Sequence, residues 1–358
     1  MMALIGSIAL VTGVCAWWLT GQLARERFVP AVLDHPNERS LHERPTPRTG
    51  GIGILSGLLF GLSLAGWSGF SLGGSIGNGF FGSSLASGIV FLTYGLALVS
   101  FIDDRGGIPV PIRLAVHLAA ASVLVIGFGL GIPTLSFPLL GMMNLGWLSV
   151  PVSIGFLVWM TNLYNFMDGM DGFAGGMAVV GGSAIAGFGW GMGHTIIFLA
   201  GGGIAVSSIG FLAHNFPPAK IFMGDVGSVP LGFLFGALML LGVHDRVFDG
   251  WVPVMLFSPF IVDATVTLVR RLVRGERIWQ AHRTHYYQRL VLTGWGHTQT
   301  VLAEYGLMGT CGLLAWGFQA VDERVQAVMW GCWVLLMVAA MAGVHLAERS
   351  AARGVGNA

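Results

Sequence analysis

Setting histidine aside, charged side chains are absent from residues 1–24, 49–102, 114–167, 172–219, 226–244, 250–262, 290–303, 305–321 and 325–347. A helix needs about 20 predominantly apolar residues to cross the hydrocarbon core of a bilayer. The runs at 49–102, 114–167 and 172–219 are 54, 54 and 48 residues long, so each holds two crossings and a turn. One crossing each fits 1–24, 226–244, 250–269 with Asp263 tolerated, 290–321 with Glu304 near an end, and 325–347. The pattern predicts an all-α polytopic integral membrane protein of about eleven transmembrane helices. Polar and apolar residues do not alternate with period two inside these runs, which argues against a barrel. Residues 2–20 are expected to be an uncleaved first crossing, because no basic segment and no small-x-small site accompany them. Val14 before Cys15 speaks against a lipoprotein signal. Cys15, Cys311 and Cys332 lie in apolar runs without a CxxC pair, so they are expected to be buried small apolar residues.

Composition narrows the class further. Of the 358 residues 54% are apolar and 10% charged, and mean hydropathy is +0.75. Soluble domains are about 25% charged, so a soluble globule and a disordered chain are both excluded. Eighteen basic against 17 acidic residues leave no field for nucleic acid. Sixteen of the 18 Lys and Arg fall in one alternating set of loops: 22–50, 103–113, 165–172, 214–228, 270–297 and the tail after 347. Only Arg246 and Arg324 fall in the other set. The positive-inside rule therefore places the N-terminus in the periplasm, and the C-terminus and charged loops in the cytoplasm. The 56 glycines are expected to let membrane helices approach closely. No repeat and no long linker divides the chain, so residues 1–358 are read as one membrane-embedded domain. Its signature loops are 34–51, 101–113, 162–172, 214–228 and 270–290.

Three of these loops carry carboxylates at helix ends. Asp103 and Asp104 are adjacent acids at a membrane boundary, where they need a cation or a proton. Asn162, Asn165, Asp168 and Asp171 lie within ten residues, with Gly after each Asp and no basic neighbour. Oxygen ligands of this kind suit a hard cation such as Mg²⁺. In the segment 215–228, Gly224 and Gly227 flank Asp225 before a helix, an arrangement that suits phosphate or a metal–phosphate complex. Two basic loops, 34–51 and 270–289, oppose these acids and carry His35, His42, His282 and His285. His282 and His285 lack a third ligand for zinc, so His282 and Arg283 are read as phosphate-binding. Lone His117 and His194 are read as structural. Acidic and basic loops on one membrane face suit a diphosphate held by Mg²⁺ and guanidinium groups, the layout of phosphoryl transfer. An ion-coupled transporter or lipid-linked sugar flippase is the rival, but it would place its acids near mid-membrane.

Asp34-x-Pro36-Asn37-x-Arg39-x-x-His42, followed by Pro47 and Gly50-Gly51, resembles the first cytoplasmic loop of the polyprenyl-phosphate N-acetylhexosamine-1-phosphate transferases. Asp103-Asp104, NLYNFMDGMDG, FMGDVGS and HRTHYYQRL resemble that family's other cytoplasmic signatures, in order over residues 34–290. The same superfamily includes phospho-N-acetylmuramoyl-pentapeptide transferase. The resemblance implies that a lipid phosphate, undecaprenyl phosphate in bacteria, attacks the β-phosphorus of a UDP-N-acetylhexosamine and releases UMP. It implies Mg²⁺ as cofactor, with Mn²⁺ as an alternative, and it allows a homodimer. The site would lie on the cytoplasmic face of the bacterial inner membrane.

Roles follow position by position. The resemblance assigns Asn165 and Asp225 to the Mg²⁺–diphosphate, Phe222 to stacking on uracil, and Asp171 to the uridine. Asp168 shapes the nucleotide site. Asp103 and Asp104 deprotonate or position the lipid phosphate, and His282 and Arg283 reach the sugar and the diphosphate. Arg39, His42, Asn162, Asn215, Lys220 and His285 complete the expected substrate contacts. Direct attack by the lipid phosphate and a covalent aspartyl-phosphate are both open mechanisms. The loop His282-Arg283-Thr284-His285-Tyr286-Tyr287 departs from the His-rich triplet of the peptidoglycan enzyme. It looks more like the branch that starts O-antigen or related surface polysaccharides from UDP-GlcNAc or a 6-deoxy relative such as UDP-N-acetylfucosamine.

Overall fold

The computed structural model describes residues 1–25, 32–36, 41–42, 44–70, 80–139, 141–277 and 282–356. The helices are α1 (Met2–Ala24), α2 (Gly50–Trp67), α3 (Ser84–Gly106), α4 (Val110–Ser122), α5 (Ser149–Phe166), α6 (Phe173–Gly191) and α7 (Thr195–Asn215). They continue as α8 (Asp225–His244), α9 (Trp251–Leu256), α10 (Ser258–Val273), α11 (Tyr286–Leu290), α12 (Gly296–Gln319) and α13 (Glu323–Gly356). Two small antiparallel ribbons join them: β1 (Leu33–Asp34) with β2 (Thr46–Pro47), and β3 (Thr134–Phe137) with β4 (Gly141–Asn144).

Among the described residues, ten helical segments are long and apolar enough to cross a membrane. The chain is thus an all-α polytopic membrane protein. The expected crossing at 250–269 is the difference. It is broken at Phe257 into α9, of six residues, and α10, of 16. Pro259 supplies the physical reason, since it has no N–H and its ring would meet the carbonyl of residue 255 in a continuous helix. α10 then runs on to Arg270 and Arg271 at its charged end.

α8 is the axle of the bundle. It is apolar on every side, and every residue from 226 to 242 is buried, as a helix without a polar face requires. Small residues let its neighbours close in. A Cβ on Gly232 would lie 2.6 Å from the Met160 carbonyl oxygen of α5. Large side chains such as Leu10, Phe91, Leu313 and Leu335 are exposed on the outer helices, the surface that lipid covers. The cysteines divide differently from expectation. Cys311 is buried and accepts a hydrogen bond from Ser258 Oγ, whereas Cys15 is half-buried and Cys332 exposed on the apolar exterior. All three are free thiols.

The loops that the charge pattern grouped together meet at one end of the bundle. Arg48 reaches Asp104, Arg113 reaches Asp225, Asn215 accepts from the Gly172 amide, and His297 faces Asp171. The opposite end holds the His194–Asp245 pair at 2.9 Å and Asp249 beside Ser136.

Candidate active site

Four aspartates and two arginines converge where α3 and α5 end and α8 begins. Gly224 takes a φ of 73°, which only glycine adopts readily, and turns the chain into the first turn of α8 at Asp225. The N-terminal end of a helix favours that negative charge. Asp225 Oδ1 accepts from Asn165 Nδ2 at 2.9 Å, and the same nitrogen donates to Ser228 Oγ at 2.9 Å. Asp104 Oδ2 accepts the Val226 amide at 3.1 Å, while Arg48 stands 3.6 Å from its other oxygen and donates to its backbone carbonyl at 2.7 Å. Asp103 accepts the Ile108 amide and, at 2.8 Å, Arg113 Nη1. Arg113 Nη1 also lies 3.5 Å from Asp225 Oδ2, so it bridges two acids that are 122 residues apart in sequence. Among the described residues Asp168 has no guanidinium partner, and burial, then the charges of Asp225 and Asp104, hold its carboxyl well above the usual carboxylate range.

Two backbone crossings fix this geometry. The Gly50 and Gly51 amides donate to the Phe222 and Met223 carbonyls at 2.9 and 2.8 Å. Gly51 lies so close to Gly227 that an added Cβ would collide with the Gly227 Cα. Gly51→Ala is therefore expected to cost about 1–3 kcal/mol by overpacking. Its check is a lower thermal midpoint in detergent together with reduced turnover.

A cavity of about 910 Å³ opens from the acidic cluster between α3, α4, α5, α8 and α10. Its polar end carries Asp103, Arg113, Asn165, Asp225, His282 and His285. Its remaining wall is largely apolar, from Val99, Leu114, Val158, Trp159, Val229 and Leu268. His117 also lines it, although the sequence marked this residue only as structural.

The segment after residue 281 supplies the histidines. Buried Asp263 accepts from Thr267 Oγ1 at 3.1 Å and from the Tyr286 and Tyr287 amides at 3.0 and 3.1 Å. It also holds His285 Nδ1 at 3.0 Å. His282 packs beside His285 with ring centroids 4.8 Å apart. Burial, then the neighbouring His285 and Arg271, push the His282 pKa down to about 4, so its ring is neutral at pH 7. Imidazole NMR of the protein in detergent is expected to show a His282 titration near 4. A midpoint near 6.5, the ordinary histidine value, would contradict that burial. The sign follows from proton linkage. Between about 6.5 and 4 the unfolded chain takes the proton that the folded chain refuses, so the contribution present above 6.5 is lost as pH falls.

At the other end of the cluster two aromatic rings meet. The Phe222 amide donates to the Pro47 carbonyl at 2.7 Å, and the Phe222 ring meets His42 edge-on at 4.9 Å between centroids. His42 Nε2 lies 3.6 Å from Asp34. Asp171 accepts the Ala219 amide at 3.0 Å, and its other oxygen faces His297 Nδ1 at 3.4 Å.

Residues 86–243 match the family described as Glycosyl transferase family 4. A probable undecaprenyl-phosphate N-acetylglucosaminyl 1-phosphate transferase of Bacillus subtilis is 30% identical over 276 residues, 76% of this chain and 73% of that protein. A phospho-N-acetylmuramoyl-pentapeptide-transferase of Synechococcus sp. is 31% identical over 336 residues, 88% of each chain. The decaprenyl-phosphate N-acetylglucosaminephosphotransferase of Mycobacterium leprae is 30% identical over 362 residues, covering 93% of this chain and 88% of that protein. The chain belongs to glycosyl transferase family 4, the polyprenyl-phosphate hexosamine-phosphate transferases.

Against the roles that membership suggests, the structure sorts the residues. It brings Asp103, Asp104, Asn165, Asp168 and Asp225 together, and places His282 and His285 on the same cavity. Asn162 lines that cavity, with its amide donating to the Val158 carbonyl. Phe222 and His42 form the aromatic pair. Three residues lie apart from these groups. Asn215 is buried and spent on the Gly172 amide and the Ile221 carbonyl. Lys220 and Arg283 are exposed, and Arg283 is not part of the cavity wall. Arg39 lies outside the described residues. Arg48, Arg113, Asp263 and His297 are site residues that the sequence did not single out. Arg113 had a signal in its place ten residues after Asp103, at the mouth of a helix.

A divalent cation suits this donor set. Asp104 Oδ1 is buried and accepts no hydrogen bond among the described residues. Asn165 donates both its hydrogen bonds from Nδ2, which leaves its carbonyl oxygen for a ligand. Four carboxyls face two guanidiniums, an excess that favours added positive charge. Among the described residues no three His, Cys, Asp or Glu side chains form a closed cage. Mg²⁺ asks for less, since it usually takes one or two carboxylates, substrate phosphates and water.

Proposed function

We propose that this protein transfers an N-acetylhexosamine 1-phosphate from a UDP-sugar to undecaprenyl phosphate and releases UMP. The supporting observation is the 910 Å³ cleft that joins a largely apolar wall to the Asp103–Arg113–Asp225 cluster. Such a cleft suits a lipid tail along Leu114, Val158 and Leu268, with its phosphate at Arg113. The UDP-sugar would then enter from the Phe222 end, so the two phosphates meet over Asn165 and Asp225.

In this account an oxygen of the lipid phosphate attacks the β-phosphorus. The bond from that phosphorus to the bridging oxygen breaks, and its electron pair leaves on UMP. A phosphate monoester has a second pKa of about 6, so the acceptor is mostly dianionic at pH 7. Asp103 then need not be a strong base; it holds Arg113 for the acceptor. Asn165, Asp225 and Asp104 would hold Mg²⁺, which when bound would stabilise charge on the diphosphate oxygens. Neutral His282 donates a hydrogen bond to the sugar or the diphosphate. The buried His285–Asp263 pair keeps that loop in place.

The bias of 16 in 18 basic residues supports a cytoplasmic site in the bacterial inner membrane, with a periplasmic N-terminus. UDP-GlcNAc or a 6-deoxy relative such as UDP-N-acetylfucosamine is the proposed donor, and the product starts O-antigen or a related surface polysaccharide. The cyanobacterial relatives favour one second reading, UDP-N-acetylmuramoyl-pentapeptide as donor. A donor panel labelled at the β-phosphate separates them. The account expects label in the organic phase from a UDP-N-acetylhexosamine and none from the muramoyl-pentapeptide donor. The reverse result would replace the first reading with the second.

A further inference from the structure

The chain enters α12 through a distorted turn. Residues 291–295 form a π-helical turn, and Gly294 and Gly296 take φ values of 99° and 70°. π-Turns inside helices are frequent at functional sites. This one delivers His297 to a junction of three segments. Its Nε2 lies 3.1 Å from the Leu41 carbonyl oxygen, and its Nδ1 lies 3.4 Å from Asp171 Oδ1. The second contact is an ion-pair distance without hydrogen-bond alignment. The ring thus sets each nitrogen against an acceptor, one in the first loop and one in the DGMDG motif. Asp171 carries the link onward, since its other oxygen accepts the Ala219 amide at 3.0 Å, three residues before Phe222.

Leu41 directly precedes His42, whose ring stands edge-on to Phe222 at 4.9 Å. Release of the Leu41 carbonyl would therefore free His42 from the face of the aromatic expected to stack on uracil. Asp171 is 9% exposed, with one oxygen accepting the Ala219 amide and the other facing His297, so it joins the two segments. A residue that only filled space would not set one ring nitrogen 3.1 Å from a backbone carbonyl and the other 3.4 Å from a carboxylate.

We infer that His297 is a positioning residue for the nucleoside half of the donor, acting through Leu41–His42 and through Asp171. The inference rests on the proposed use of a uridine nucleotide. It places no demand on the diphosphate end, because His297 contacts none of Asn165, Asp225 or Arg113.

The test uses the full-length protein in detergent, with UMP binding by calorimetry and pyrophosphate as inhibitor of turnover. His297→Ala and His297→Leu are expected to weaken UMP about tenfold or more, equivalent to about 1.4 kcal/mol. Pyrophosphate inhibition stays within about twofold, a small free-energy change by the same conversion. His297→Gln, whose amide keeps a donor toward Leu41, restores most of the UMP affinity. UMP binding by His297→Leu equal to wild type would overturn the inference, because bulk alone would then suffice. Parallel loss of UMP and pyrophosphate binding would also overturn it, as a general collapse of the site. Wild-type protein that binds no UMP would instead overturn the uridine-nucleotide reading, and this inference with it.

Discussion

Asp225→Asn is expected to lower turnover by about 10²–10³-fold, the scale on which one preorganised charge-stabilising group contributes. The substitution isolates charge from shape. An asparagine at 225 still offers an oxygen to Asn165 Nδ2, which now lies 2.9 Å from Oδ1, and it still starts α8 after Gly224. What disappears is one of four carboxyl groups in the cluster, and with it the group proposed to hold the metal–diphosphate. Initial rates across a Mg²⁺ titration check this. The expected result is a raised Mg²⁺ requirement and a thermal midpoint close to wild type. Near-normal turnover at ordinary Mg²⁺ would remove Asp225 from the metal site.

The second large effect is expected at Arg113. One guanidinium nitrogen lies 2.8 Å from Asp103 and 3.5 Å from Asp225, at the junction of the acids and the largely apolar cleft. Arg113→Met removes the cation while keeping an unbranched stem. Two acids then face each other without it, and the lipid phosphate loses its partner. Turnover should fall about 10²-fold, with the acceptor KM rising and the UDP-sugar KM nearly unchanged. Arg113→Lys keeps a point charge but not the planar fork, and should fall between the two. Steady-state kinetics with each substrate varied in turn checks the split. A rise confined to the UDP-sugar KM would move Arg113 to the donor side.

The helices were legible because charge is costly in hydrocarbon. Charge-free runs therefore mark spans, and the acids left at their ends mark loops. The same economy exposed Asp103, Asp168 and Asp225, since each ends or starts such a run, and Asp104 beside Asp103. The break at Phe257 was not legible in a hydropathy count, because Pro259 is apolar and hides its missing N–H. Arg113, Asp263 and His297 escaped for another reason. Arg113 and Asp263 sit at the edge of an apolar run and His297 inside one, and the meaning of each comes from a partner elsewhere in the chain: Asp225, His285 and Asp171 respectively. Arg283 shows the converse. A basic residue inside a signature loop is legible from sequence, but its place, exposed and outside the cavity wall, is set by the fold.

A group transfer that couples a nucleotide sugar to a membrane lipid phosphate is read out by UMP release. Purified protein in detergent is given a UDP-N-acetylhexosamine and Mg²⁺, with and without undecaprenyl phosphate, and UMP is measured. The account predicts UMP release only when the lipid phosphate is present, one UMP per lipid-linked sugar, abolished by chelating Mg²⁺ and severely reduced in Asp225→Asn. No UMP release with every donor tested, alongside movement of intact sugar substrate across vesicles carrying the protein, would contradict it and make the molecule a transporter.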